Sequence, residues 1–454
     1  PDFTEAHSNL GLALKELGQF KEAIASHHKA IEINPYYAEA HNNLGNVLRA
    51  IGRLDEAVSC YREAIKIKPE HAKAYNNLGN ALHDLDQLDE AVVSYHKALD
   101  LKPNYAEGHN NLGVALQELA KLDEATTNYH KAIEIKPEFA EAHLNLSRVL
   151  LMCGNYDEGW RENEWRWQSP SFPSTWRSFS YPQWRGEPVT NKTVLVWSEQ
   201  GIGDEIMFAN PIPDLLADGA KLVLECGERL VPLFARSFQA ATVVARRDPP
   251  DKKIGEAQID YQTPMASLCS YYRNTRESFQ GGSGRYLTAD PIRKSELRAR
   301  YTVLGDGPVI GICWRSGNPT AGPRRSAPLD LWDRILSQPN CNFVSLQYGE
   351  VEAELAKVKD RLGVEVHRDT EVNPLENAED WFAQVAAMDL VISIDNSTIQ
   401  VSGSQGIPTW TLLSYSPEWQ FGMHGKDHDW HPSIRIYRQP STGDWQSVFS
   451  EVLP

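Results

Sequence analysis

Asn43-Leu44-Gly45 returns as Asn77-Leu78-Gly79 and Asn111-Leu112-Gly113, with Asn9-Leu10-Gly11 before them and Asn145-Leu146-Ser147 after, each 34 residues from the last. Other positions keep the same register. Ala23, Ala57, Ala91 and Ala125 each follow a glutamate, and prolines recur at Pro1, Pro35, Pro69, Pro103 and Pro137. Such a period marks stacked two-helix units. No unit buries its apolar face alone, so the core forms between neighbours. Small residues such as Gly45 and Ala57 let the paired helices approach, and prolines of the Pro69 type start the next unit. The pattern predicts five units over residues 1–168, an α-solenoid.

The rest of the chain has a different composition. None of its 13 tryptophans, in 454 residues, precedes Trp160. At about 150 residues per domain the length predicts roughly three domains. With 41% apolar and 23% charged residues, a disordered or collagen-like chain is excluded. No 18-residue apolar run is present, which argues against membrane insertion. The balance of 45 Lys+Arg against 61 Asp+Glu leaves a net charge of −16, with both halves acidic. That opposes a nucleic-acid footprint and adsorption to anionic lipid. Cys60, Cys153, Cys226, Cys269, Cys313 and Cys341 include no CxxC pair. They suit buried thiols in a reducing, cytoplasmic setting better than disulfides or zinc, so no metal is expected. The chain opens inside a helical pattern with no signal peptide, and Pro1 at a repeat boundary fits a natural protein extending further upstream.

The repeats resemble the tetratricopeptide family in period, small residues and terminal proline. The fifth departs from it, with Gly159 where alanine is expected, followed by Trp160, Trp165 and Trp167. Those aromatics are read as a joint that docks the array on the next domain. Asn9, Asn43, Asn77, Asn111 and Asn145 form a column with one residue per repeat. An amide both donates and accepts, so the column can hold an extended peptide backbone of an acceptor protein. The other reading is that these residues only bridge neighbouring helices. Repeat arrays and acidic surfaces also permit a homodimer.

Residues 169–190, with Trp176, Trp184, Pro170, Pro173 and Pro182, break both periodicities and read as a packed connector. Short apolar runs follow at 194–197, 222–225, 242–244 and 259–261. A second set lies at 309–313, 343–346, 364–366, 390–394, 409–413 and 434–437. Alternation with helical segments implies parallel sheets of the doubly wound type. A helix over 293–304 and the hinge Gly305-Asp306-Gly307-Pro308 divide two halves, residues 191–304 and 305–454, and 445–453 forms a final helix.

Ligands in such sheets bind beyond the C-terminal ends of the strands, which selects four segments. In Ser198-Glu199-Gln200-Gly201-Ile202-Gly203-Asp204-Glu205, the glycines allow close backbone approach and Asp204 is a candidate general base or a helix cap. GxG alone is weak evidence for a dinucleotide, although Glu225 at the next strand end keeps a dehydrogenase open. Trp314 and Arg315, with Arg324 and Arg325, make a positive pocket suited to a diphosphate, or simply solvate a loop. The turn at Gln347 suits a nucleobase or ribose. Asp395-Asn396-Ser397-Thr398 opens a helix and offers free backbone N–H groups to an anion, or serves as an ordinary cap.

Taken together, residues 193–454 resemble GT-B glycosyltransferases of the heptosyltransferase and O-GlcNAc transferase groups, in the form that bacteria fuse to tetratricopeptide repeats. The resemblance implies two Rossmann-like halves, the second binding a nucleotide-diphosphate sugar. It implies a base at Asp204 after Gly201 and Gly203, and a diphosphate contact at Arg325 before Pro328. A phosphate site is implied at Asp395, Asn396, Ser397 and Thr398. In O-GlcNAc transferase an equivalent asparagine ladder holds acceptor protein. This sequence departs from the heptosyltransferase pattern at Gln400, where histidine is usual; glutamine carries no charge and would grip a diphosphate less firmly.

The expected activity is therefore inverting, metal-independent sugar transfer to a protein Ser/Thr hydroxyl, with no cofactor beyond the donor. The alternatives are a repeat-based scaffold with an inactive transferase fold, and a transferase acting on a cell-envelope glycan. His424, His428 and His431 have a spacing that could hold zinc. The Gly- and Pro-punctuated stretch is instead read as a mobile loop at the cleft edge. The Asn396-Ser397-Thr398 sequon is read as accidental.

Overall fold

The computed structural model describes residues 3–279, 284–318 and 322–453, so Pro1, counted above as a repeat boundary, lies outside them. The chain divides into two compact units, Pro1–Val149 and Leu150–Pro454.

In the first unit the 34-residue period becomes helix pairs. Thr4–Glu16 packs on Phe20–Ile33, Ala38–Ala50 on Leu54–Ile67, Ala72–Asp84 on Leu88–Leu101, and Ala106–Glu118 on Leu122–Ile135. The repeated glycine faces one buried ring across each pair. A Cβ on Gly45 would stand 2.6 Å from Tyr61, on Gly79 2.5 Å from Tyr95, and on Gly113 2.6 Å from Tyr129. The phenol hydroxyls of Tyr61 and Tyr95 donate to Asn46 and Asn80 at 2.8 Å, and that of Tyr129 donates to Gln117 at 3.0 Å. Burial in the pair thus leaves no hydroxyl unpaired, as close packing of polar groups requires. The first pair uses His27 instead, and burial lowers its pKa to about 4, so the ring is neutral. The turn inside each pair needs a left-handed residue, supplied by Gly18 (φ 71°), Gly52 (φ 79°), Asp86 (φ 62°) and Ala120 (φ 57°). Glycine adopts this conformation without steric cost, whereas Ala120 does not.

The second unit contains two parallel sheets. Strands β1 (Thr193–Trp197), β2 (Lys221–Cys226), β3 (Ala241–Ala245) and β4 (Tyr261–Pro264) assemble in the order β3-β2-β1-β4. Strands β5 (Val309–Cys313), β6 (Asn342–Ser345), β7 (Val366–His367), β8 (Leu390–Ile394), β9 (Thr409–Leu413) and β10 (Ile434–Arg438) assemble as β10-β9-β8-β5-β6-β7. Every pairing is parallel. The runs expected at 259–261 and 364–366 only touch the observed β4 and β7 at one residue each. In the second sheet the chain leaves β5 in one direction for β6 and β7, then returns to its other side for β8. The crevice beyond β5 and β8 is therefore where such a sheet binds a ligand.

The tryptophans that end the repetition lie within this unit. Trp160 is 1% exposed and meets Phe208, Trp419 and Trp430 edge-on at 5.5–6.3 Å. Trp167 packs on Phe172, Trp176 and Trp197. The connector is anchored along its length. Gln183 bridges to Gln262 beside β4, Trp184 is buried against Tyr271 and Tyr272, and Arg177 pairs with Glu225 at 2.5 Å. Beneath it Arg166, fully buried, binds Glu199, Glu164 and Ser267 at 2.8–3.1 Å. The closing helix Trp445–Val452 is capped by Asp444 and lays Phe449 on Trp332.

Candidate active-site cleft and the asparagine column

The helices that follow β1 and β8 pack on each other. Gly203 lies in the Ile202–Phe208 helix after β1, and a Cβ there would stand 3.4 Å from Cβ of Ser397, which opens the Ser397–Ser404 helix after β8. The two strand-end segments, far apart in sequence, pack on each other here.

Asp204 is half-buried beside this contact. Its Oδ2 accepts the Gly201 N–H at 3.2 Å. Loss of hydration raises its pKa to about 6, and the charge of Glu418 adds to the rise. It is ionised at neutral pH yet remains basic enough to take a proton. Across the cleft Arg325 sits between two carboxylates: Nη2 contacts Glu418, and Nε lies 3.6 Å from Asp395. Asp395 is 4% exposed and its Oδ2 has no hydrogen-bond partner among the described residues. Burial pushes its pKa up to about 7, Arg325 opposes that rise, and Glu418 adds to it. One guanidinium thus faces both Asp395 and Glu418, and Glu418 in turn acts on Asp204.

Other residues singled out by motif serve to hold these in place. Asn396 caps its helix, accepting the Thr398 N–H at 3.0 Å, and its amide donates to Cys313 Sγ at 3.0 Å, tying β8 to β5. Thr398 is buried. Gln347 Oε1 accepts the N–H groups of Trp314 (3.1 Å) and Arg315 (2.7 Å), fixing the loop after β5. Trp314 is fully buried, with its indole N–H donating to Glu354. Arg315 pairs with Glu354 at 3.2 Å and donates to the Glu350 carbonyl. Arg324 is exposed one residue before Arg325. Gln400 lies inside the fold, its Oε1 3.0 Å from His431 Nε2. Its lack of charge therefore bears on packing and not on a grip in the cleft. Glu225, the acid that a dinucleotide site would need, is fully buried against Arg177.

The histidine-rich stretch differs from the mobile loop expected. His428 and His431 are buried and stacked with centroids 5.4 Å apart, and Trp430 lies buried between them in sequence. Burial lowers the pKa of His431 to about 3, and His424 is exposed. Among the described residues no group of three His, Cys, Asp or Glu side chains could hold a metal ion.

Two acids were given no role by the motifs. Glu418 follows β9, a strand end that the same rule could have selected. Glu205, next to Asp204, is buried and accepts the Gly227 N–H at 2.8 Å, and burial raises its pKa to about 7. Beyond β6 and β7 a cavity of about 260 Å³ is lined by Ser345, Gln347, Tyr348, Arg368 and Asp369, among others, so the turn expected to hold a base or ribose forms one of its walls.

In the first unit the asparagine column is partly spoken for. Asn77 donates its amide to Asn42 at 2.9 Å, Asn111 to Asn76 at 3.1 Å, and Asn145 to Asn110 at 3.0 Å, while Asn43 reaches Ser8 at 3.2 Å. The amide N–H groups bridge repeats, as the second reading anticipated. Asn77 and Asn111 are themselves half-buried. Asn9 is exposed.

Residues 11–50, 45–86 and 79–120 match the family described as TPR repeat, and residues 106–139 match the tetratricopeptide repeat. The first unit is an array of tetratricopeptide repeats. Similar solved structures include MamA, at 26% identity over 34% of this chain and 91% of that one, with a TM-score of 0.32. YrrB, described as a TPR protein with an unusual peptide-binding site, shares 23% identity over 36% of this chain and 84% of its own, with a TM-score of 0.31. PilF of Pseudomonas aeruginosa shares 19% over 47% and 85%, with a TM-score of 0.37. Among curated proteins, FlbA of Caulobacter vibrioides is 33% identical over 319 residues, 67% of this chain and 53% of FlbA. The chain thus spans about half the length of that relative. No helix among the described residues is long and apolar enough to cross a membrane.

Proposed function

We propose that the second unit is a glycosyltransferase of the GT-B type that moves a sugar from a nucleotide-diphosphate donor to a protein hydroxyl, and that the repeats select the acceptor. The observation that carries this reading is the Gly203–Ser397 contact, which brings a carboxylate with a pKa of about 6 beside a helix start and near Glu418, the partner of Arg325. The nucleoside would occupy the cavity beyond β6 and β7, with its phosphates at Arg325 and the Ser397 helix N-terminus. The acceptor oxygen attacks the anomeric carbon and passes its proton to Asp204. The bond from that carbon to the phosphate oxygen breaks, and the electron pair leaves with the nucleotide diphosphate. Negative charge grows on the phosphate, where Arg325 and the helix N-terminus stabilise it. No step requires a metal ion. In the repeats, asparagine oxygens aligned by inter-repeat hydrogen bonds would accept N–H groups of an extended acceptor segment.

A second reading, a binding scaffold, is favoured by one observation: Arg325 already faces two carboxylates. Incubating candidate acceptor proteins with the enzyme and a panel of nucleotide sugars, followed by intact-mass analysis, decides between them. A mass increment of one sugar supports transfer. Nucleotide sugars that neither bind nor react refute it. Loss of transfer to protein, but not to glycan, when the repeats are deleted supports the protein acceptor.

A further inference from the structure

Glu418 has no part in the chemistry above, yet it contacts the group on which phosphate binding depends. It ends a short loop after β9, and the next residue, Trp419, is wedged edge-on against Trp160 at 5.5 Å and Trp430 at 6.0 Å. The backbone of the loop is therefore anchored. The Glu418 side chain, 39% exposed, can swing away, whereas the Asp395 side chain, 5% exposed, cannot. A phosphate and the Glu418 carboxylate would compete for the same guanidinium.

We propose that Glu418 is a positioning residue that holds Arg325 in place and yields it to the donor phosphate, so that nucleotide binding displaces the Glu418 carboxylate from its ion pair. This rests on the transferase reading and adds a regulator to its donor site. The charged groups facing Arg325 are Asp395 from the end of β8 and Glu418 from the loop after β9, and Glu418 also acts on Asp204 from the facing half. A phosphate entering between the Asp395 and Glu418 carboxylates is repelled unless one moves or takes up a proton. The Asp395 carboxyl, with a pKa of about 7, is the group placed to take it up. Binding then strengthens as pH falls from 8 to 6.5.

Calorimetry on the full chain tests this, using UDP, GDP, ADP, CMP and inorganic pyrophosphate as probes with wild type, Glu418→Gln and Glu418→Ala at pH 6.5 and 8. The expected result is three- to tenfold tighter binding by both variants at pH 8, with a smaller change between the two pH values than in wild type. A residue that merely supports the loop would weaken binding in both variants and leave the pH dependence intact, and that outcome overturns the proposal. Equal affinities in all three proteins overturn it too, while leaving the nucleotide site standing. If none of the three proteins binds any probe, the transferase reading falls and Glu418's role falls with it.

Discussion

Replacing Asp204 by asparagine should stabilise the protein while abolishing transfer. Asparagine keeps the shape of the side chain and an oxygen to accept the Gly201 N–H. What it removes is a charge that the fold disfavours. A carboxyl whose pKa rises from 3.8 to about 6 on folding costs the folded state about 3 kcal/mol once both states are ionised. Because the side chain is only half-buried, roughly 1–3 kcal/mol is the realistic range after screening by water. The sign follows from proton binding. Between pH 3.8 and 6 the folded state binds more protons than the unfolded one, so wild-type stability falls as pH rises through this window. Above it the penalty is constant. The variant's advantage should therefore be absent below about pH 3.8, grow across the window and be complete by pH 7.5. Urea unfolding at several pH values, followed by tryptophan fluorescence, reads this directly, since every tryptophan lies in the α/β unit. Transfer should fall by about 10²–10⁴-fold, the usual contribution of a general base. A variant less stable than wild type at pH 7.5 would refute the electrostatic account, and normal turnover would refute the assignment of the base.

Ala120→Gly should stabilise the repeats by about 1 kcal/mol, because alanine at φ 57° is strained where glycine is not; an unchanged or lower melting temperature would contradict this. Gly79→Ala should destabilise by about 1–3 kcal/mol despite the better helix former, since its Cβ would meet the buried Tyr95 ring at 2.5 Å. Adding Tyr95→Leu should recover part of that loss in a double-mutant cycle. His83, paired with Asp84 and Glu118, has its pKa raised to about 9. The stability it contributes is complete below pH 6.5 and is lost as pH rises through about 9. His83→Gln should flatten the melting temperature of the full chain across that range.

The repeat array was legible because its interactions are local and periodic. Each glycine meets a ring 16 residues later, as Gly45 meets Tyr61, so the residues that pack together also recur together. The parallel sheets were legible from short apolar runs, except where β4 and β7 begin later than the runs suggested. Asp204, Arg325, Asp395 and Ser397 were singled out because strand ends and glycines mark backbone approach. Gln347, Asn396 and Gln400 stood on the same strand-end segments. Each of their polar side chains turned out to satisfy a neighbour inside the fold. Segment position does not disclose which way a side chain points.

The sequence by itself therefore determined that the chain begins as stacked helix pairs and continues as alternating strands and helices. Period and apolar runs are properties of neighbouring residues, and local geometry turns them into elements. Only the tertiary structure decided which charges face one another. Glu418 is 93 residues from Arg325 and 23 from Asp395, and the three meet because β5, β8 and β9 are adjacent in one sheet. The same adjacency sets the pKa of Asp395, because burial and a guanidinium act through space and leave no local signature in the sequence.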